Sequence, residues 1–228
     1  VVFWSFGQNP TFNNSTTAGG YSDGNGVGNF KYAVPSGYLA LCSANLPAPT
    51  ITKPTDHFNT ILYTGNDTDD RTLTGVGFQP DWVWIKTRNA TNYHNLFDAV
   101  RGVSRVIYSN NTDAEVVTSD PNNSLVAFTS DGFTVDDSSA YTDLNSSSHT
   151  YVAWNWKANG SGSTNDDGAT DSTVSVDTTA GFSIVTFTMP SSGQTTFGHG
   201  LGAVPDYIIA RPRGSTGNWS VWVKPPMD

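Results

Sequence analysis

The chain has 228 residues, with 20 acidic against 11 basic side chains and a formal net charge of −9. That balance argues against nucleic acid, whose phosphates call for clustered Lys and Arg, and against insertion in or adhesion to an anionic membrane. Only 14% of residues are charged and 36% are apolar, while Gly alone numbers 22; Ser, Thr, Asn and Asp supply much of the rest, which predicts an all-β chain rich in loops. No apolar run approaches the roughly 18 residues of a membrane-spanning helix. The single cysteine, Cys42, cannot form an internal disulfide, so packing must hold the fold.

Residues 1–12 read as one strand and its exit turn, ending in Gly and Pro. The chain opens mid-strand in character and without an initiator Met, so a fragment of a longer polypeptide is expected. Residues 13–29 are Gly, Ser, Thr and Asn with little to bury, and read as a loop. Residues 47–55 carry Pro47, Pro49 and Pro54, an extended connector at which a domain boundary is placed.

A first module is expected over 56–158. Its strands are 61–64, 82–86 and 151–156, and 96–101 reads as a short strand or one helical turn. Val126 to Val135, with Asp131-Gly132 at its centre, is the strongest hairpin signal, because Asp-Gly supplies a tight turn. Residues 159–181 lack apolar density and read as a flexible linker or loop. Residues 182–228 then restart the module, with strands at 182–188, 207–211 and 219–223 and no room for a whole copy.

That restart is explicit. Gly75-Val-Gly-Phe-Gln-Pro-Asp-Trp-Val-Trp-Ile85 returns as Gly200-Leu-Gly-Ala-Val-Pro-Asp-Tyr-Ile-Ile-Ala210, 125 residues later. Upstream, Phe58, Tyr63 and Thr64 match Phe182, Phe187 and Thr188 at an offset of 124. The period is the size of a small domain, so a tandem duplication follows. The strand spacing predicts antiparallel β-sandwich modules in tandem, jelly-roll-like as a variant, with the second copy incomplete.

Four blocks in order, Gly77–Lys86, Leu96–Gly102, Phe128–Phe133 and Tyr151–Lys157, resemble a module of uncharacterised function found in large structural proteins of tailed bacteriophages, often marine ones. The likeness covers roughly residues 56–228. Residues 1–12, through Phe6-Gly-Gln-Asn-Pro-Thr-Phe12, resemble the last strand of a SPRY (concanavalin-A-like) domain, so 1–46 is expected to end an upstream β-domain of that type. The resemblance implies a virion location, a homo-oligomer such as a trimer, and other virion proteins as partners. It carries no catalytic residues.

The residues themselves offer little catalytic grammar. His57, His94, His149 and His199 show no zinc spacing, and a loop or surface role is expected for each. Gly24-Asn-Gly-Val-Gly28 lacks the Lys and helix of a phosphate loop. Asp69-Asp70, Asp136-Asp137 and Asp166-Asp167 are the candidate carboxylate pairs; solvated turn acids are the first reading, calcium in a loop the second, and glycoside hydrolysis the third. No cofactor is otherwise expected. Trp82 and Trp84 share one strand face, as do Trp154 and Trp156. They pack as core or form a stacking platform for a host-surface glycan.

These readings rank a non-enzymatic virion structural protein first, in a tail fibre or host-facing appendage. A carbohydrate-binding module and a capsid decoration protein follow as alternatives, with an enzyme last.

Overall fold

The structure is a computed structural model and describes residues 19–118, 124–136 and 142–225. The strand expected over 1–12 and the acid Asp137 lie outside the described residues. The chain divides into two compact units, Val1–Thr52 and Lys53–Asp228.

The described part of the first unit, residues 19–52, centres on an acid, Asp23. Among its described residues a bridge joins Tyr21 to Phe30, and a 3-10 turn spans Ser43–Asn45. Asp23 takes the amides of Asn25 and Val27 on one oxygen. The other oxygen takes the Ala40 amide at 2.8 Å and Asn45 Nδ2 at 2.7 Å. The Ala40 amide is the strongest of the donors that hold its carboxyl down at about 2. Four donors on one carboxylate thus tie the described turns of this glycine- and asparagine-rich stretch together.

The second unit is all-β. In chain order its strands are β1 (Phe58–Thr64), β2 (Arg71–Thr74), β3 (Trp82–Thr87), β4 (Asn95–Asp98), β5 (Arg105–Tyr108), β6 (Val116–Val117), β7 (Leu125–Thr129), β8 (Gly132–Val135), β9 (Thr150–Trp156), β10 (Ser163–Asn165), β11 (Ser172–Asp177), β12 (Phe182–Phe187), β13 (Tyr207–Ala210) and β14 (Ser220–Val223). Every pairing among the described residues is antiparallel. A six-stranded sheet runs β1-β9-β3-β4-β5-β6, and a three-stranded sheet runs β2-β8-β7. Residues of both sheets share one core, so the two form a β-sandwich.

Period-two alternation decides what enters that core. Val83 and Ile85 of β3, and Tyr151 and Ala153 of β9, are fully buried. From the smaller sheet come Leu73, Leu125, Phe133 and Val135. Tyr63 stacks on Tyr151 with ring centres 4.8 Å apart, and its hydroxyl donates to the Leu144 carbonyl. The polar tips of both aromatics are thus satisfied inside the sandwich, as burial requires.

The Gly75-Val-Gly77 stretch, which leads from β2 towards β3, is fixed by the β7–β8 hairpin. Gly75 and Gly77 have φ of +93° and +90°, a region that side chains disfavour. Asp131 takes the Gly75 amide on one carboxylate oxygen and the Gly77 amide, at 2.6 Å, on the other. Asp131 belongs to the β7–β8 hairpin, but the turn differs from expectation by one residue. Thr129 pairs with Gly132, so Ser130 and Asp131 form the loop and Gly132 begins β8. Gly132 is needed there because a Cβ would lie 1.9 Å from the Leu73 carbonyl oxygen of β2.

Residues 159–181, read from the sequence as a flexible linker or loop, contain β10 and β11. These pair with each other, and β11 pairs with β12. The strand hides in the composition because serines take inward places: Ser172 and Ser175 are buried beside Val174. The Ser172 hydroxyl donates to the Gly198 carbonyl and the Ser175 hydroxyl accepts the Asn159 amide.

Candidate interaction surface

The four tryptophans singled out from the sequence meet on one face of the large sheet. The β3–β9 register sets Trp82 opposite Trp156 and Trp84 opposite Trp154. Ring centres lie 4.6 Å and 5.3 Å apart, tilted by 33° and 56°. Phe58 adds to the row from β1, 4.8 Å from Trp156. Val83, Ile85, Tyr151 and Ala153 fill the sandwich from the opposite face, so this row is not part of the main core.

One end of the row is covered. Phe182, the first residue of β12, stacks on Trp82 at 5.6 Å with 13° between planes, and lies 6.2 Å from Trp156. Beside it, His57 Nδ1 sits 2.5 Å from Asp177 Oδ2. Burial alone would raise Asp177, but hydrogen bonds from His57, Ala180 and Thr179 outweigh it and hold the carboxyl below its usual range. The segment from β11 into β12 is therefore tied to the first block by an aromatic stack and a His57–Asp177 hydrogen bond. Trp84 and Trp154, at the other end, stay half-buried.

Among the described residues the carboxylate candidates serve as turn and loop acids. Asp69 is exposed in its turn, and Asp70 gives its amide to Asp136 Oδ1 at 2.6 Å, a turn cap rather than an acid pair. Asp166 and Asp167 lie in an exposed loop, where Asn165 binds Asp167. Among the described residues no group of three or more His, Cys, Asp or Glu side chains is placed to hold a metal. Of the histidines, His149 lies 2.6 Å from Asp143, and His199 accepts the Leu201 amide. Burial, then Lys86, pushes His94 below the usual imidazole range.

A polar cluster absent from the sequence reading centres on Glu115. Its carboxylate receives Arg101, Arg105 and Arg213 at 2.9–3.1 Å. Arg101 also binds Asp98 at 2.5 Å. Burial opposes ionisation of Glu115, but hydrogen bonds from Arg213 and Arg101 prevail and hold it at about 2. Arg213 rises in turn, through its bond to Glu115. No local motif marks Glu115, because its partners come from two separate stretches, 101–105 and 213.

The cluster anchors the loop between β13 and β14. The Glu115 amide donates to the Arg213 carbonyl, and the Gly217 amide to the Thr112 carbonyl. Arg211 Nη1 donates to the carbonyls of Tyr108 and Asn111, while its guanidinium lies 5.0 Å from the Trp219 ring centre. The strands beyond that loop are bare. Tyr207, Ile208, Ile209, Val221, Trp222 and Val223 are all exposed, covering both faces of a two-stranded ribbon.

This bare ribbon repeats the β3–β4 pair. Trp82 pairs with Asp98, Val83 with Phe97, Trp84 with Leu96 and Ile85 with Asn95. Tyr207 pairs with Val223, Ile208 with Trp222, Ile209 with Val221 and Ala210 with Ser220, each partner 125 residues later. The closing hydrogen bond repeats too: Ala99 N to Asp81 O, and Lys224 N to Asp206 O, both 2.8 Å. The preceding glycines keep their positive φ, +71° at Gly200 and +70° at Gly202.

The two blocks differ in what surrounds them. Asp81 is 2% exposed and clasps the end of β9: its amide donates to Trp156 O, and Oδ2 accepts the Ala158 amide at 2.7 Å. The Asp206 side chain is 80% exposed and meets Lys224 at 3.0 Å.

No helix among the described residues is long and apolar enough to cross a membrane. No curated protein and no solved structure matches the chain. A family described as "Domain of unknown function (DUF7483)" matches residues 53–225, from the start of the second unit through β14 and so across both copies of the repeated block. The chain belongs to that family.

Proposed function

We propose that the chain is a non-enzymatic structural protein of a bacteriophage virion, working in a tail fibre or another host-facing appendage in assembly and adsorption. The observation that carries the structural part is the β13–β14 ribbon. It is anchored at its loop by Glu115, Arg211 and Arg213, yet exposes six large apolar residues. Anchoring an apolar surface in place suits assembly, because a patch of this kind costs solubility unless a neighbour covers it. The virion location rests on the resemblance of the four sequence blocks to phage modules. Other copies of the chain and other virion proteins are the partners this reading expects.

Immunogold electron microscopy on purified particles that carry the protein tests it. Label on the tail or its fibres supports the reading. Label on the head favours capsid decoration, and absence of the chain from the particles sinks both. A second reading, recognition of a host glycan, draws on Trp84 and Trp154, which remain half-exposed on the sheet face. Their rings tilt by 56° and share no plane, so they suit stacking against a sugar less well than a flat platform. A glycan array with a Trp154→Ala control separates the two.

A further inference from the structure

We infer that Asn159 is a self-modifying site: the Gly160 amide nitrogen attacks its side-chain amide, ammonia leaves, and water opens the resulting imide to aspartate or isoaspartate. The chain has two Asn-Gly pairs, Asn25-Gly26 and Asn159-Gly160. Glycine permits this attack because no Cβ shields its nitrogen and its backbone turns freely. Sequence alone treats the two pairs alike, and the fold separates them.

Asn25-Gly26 is locked at both reacting groups. The Gly26 amide donates to the Asp23 carbonyl at 2.9 Å, so the attacking nitrogen is engaged. Asn25 Nδ2 donates to Asn45 Oδ1 at 2.9 Å, so the amide under attack is held too. Asn159-Gly160 is the reverse. Asn159 is exposed, and among the described residues neither its side-chain amide nor the Gly160 N–H makes a hydrogen bond. The chain just before it is pinned: the Ala158 amide donates to Asp81 Oδ2 and the Asn159 amide to Ser175 Oγ, both at 2.7 Å. Gly160 and Gly162 follow with φ of +64° and +77°, ahead of β10. The rotation that brings Asn159 Cγ onto Gly160 N therefore breaks no hydrogen bond.

In the first step a bond forms between Gly160 N and Asn159 Cγ, and the Cγ–Nδ2 bond breaks. Nδ2 departs as ammonia, taking the Gly160 amide proton. Water then adds to one of the two imide carbonyls. Opening at the side-chain carbonyl restores the ordinary main chain with an aspartate. Opening at the main-chain carbonyl leaves an isoaspartate, with one extra methylene in the backbone. Water is the only co-reactant. The new carboxylate arises beside the clasp on which β9 ends, where Asp81 holds the Ala158 amide and Gln79 Nε2. A like charge so close to Asp81 works against that clasp. The reaction thus marks the junction between β9 and β10.

The test incubates the intact 228-residue chain in mildly alkaline buffer, folded and in urea, and follows both sites by peptide mass spectrometry. In the folded chain Asn159 is expected to convert about tenfold faster than Asn25, which must first give up hydrogen bonds. In urea the two rates converge. An isoaspartyl-specific methyltransferase labels the folded product; Asn159→Gln abolishes that label and Asn25→Gln leaves it. The Asn159 side chain is exposed, so its variant folds, and circular dichroism checks it. Equal rates at the two sites in the folded chain, or an intact Asn159 where the urea-treated chain reacts, overturns the proposal. So does a difference that persists unchanged in urea, since neighbouring sequence would then set it.

Discussion

Phe182 lies flat on Trp82, ring centres 5.6 Å apart and planes 13° from parallel. The first residue of the restarted module thus covers a tryptophan of the first. Deleting the ring removes part of a large apolar burial and an aromatic stack. Phe182→Ala is expected to cost about 2 kcal/mol, since the site is half-buried. The melting temperature falls by about 5 °C on that basis. Tryptophan emission shifts to the red as Trp82 and Trp156 gain water. A variant with unchanged emission and unfolding midpoint would show that the stack contributes nothing.

Asp131 is the clasp between the hairpin and the Gly75–Gly77 bend. Asp131→Ala removes the acceptor for two amides and costs about 2 kcal/mol. Gly77→Ala meets no atom within 4 Å, yet strains a backbone at φ +90° and costs about 1 kcal/mol. The two variants act on one bend, so the double variant should cost less than the sum of the singles. Urea unfolding of the three variants measures this, and full additivity would separate the clasp from the bend.

How far the sequence reveals these features depends on the range over which they are built. Trp82 and Trp84 are two apart on a β-branched strand, so their common face is readable, and the same holds for Trp154 and Trp156. That the two pairs meet is set by a β3–β9 register spanning about seventy residues, which no local pattern reports. Strands β2 and β11 escape notice for another reason. Arg71-Thr-Leu-Thr74 carries one apolar residue, and β11 spends buried positions on Ser172 and Ser175. The repeated Gly-x-Gly-x-x-Pro-Asp block, by contrast, is visible because turn geometry demands its residue types locally. Glu115 has no such signature, since its worth comes from arginines at 101, 105 and 213.

Glu115 should govern part of the acid sensitivity. Its carboxyl titrates at about 2 in the fold against an ordinary 4.5. A depressed carboxylate stabilises the fold above its unfolded pKa and loses that contribution as pH falls through the folded value. The window is therefore about pH 4.5 down to about pH 2. Glu115→Gln is expected to be less stable than the parent at pH 7, and the gap should narrow across that window. Urea midpoints at pH 7, 4 and 2.5 give the comparison. A gap that stays constant with pH would mean the glutamate acts through shape alone.

Tyr151 carries the opposite sign, at the alkaline end. Burial, then the hydrogen bond its hydroxyl donates to Asp143 Oδ1 at 2.5 Å, pushes the phenol far above its usual range. Tyr63, also in the core, is raised by burial and by the neighbouring Tyr151. A phenol whose folded pKa exceeds the unfolded one stabilises the fold below the unfolded value and withdraws that support as pH climbs past about 10. Two tyrosines should thus stay un-ionised in spectrophotometric titration until the protein unfolds. Tyr151→Phe leaves the number titrating in the folded state unchanged, and removes one from the alkaline unfolding step. It also strips Asp143 and the Ser146 amide of a partner, at about 1–2 kcal/mol. If Tyr151→Phe instead removed a phenol that titrates freely near pH 10, the ring would not be sealed in the sandwich.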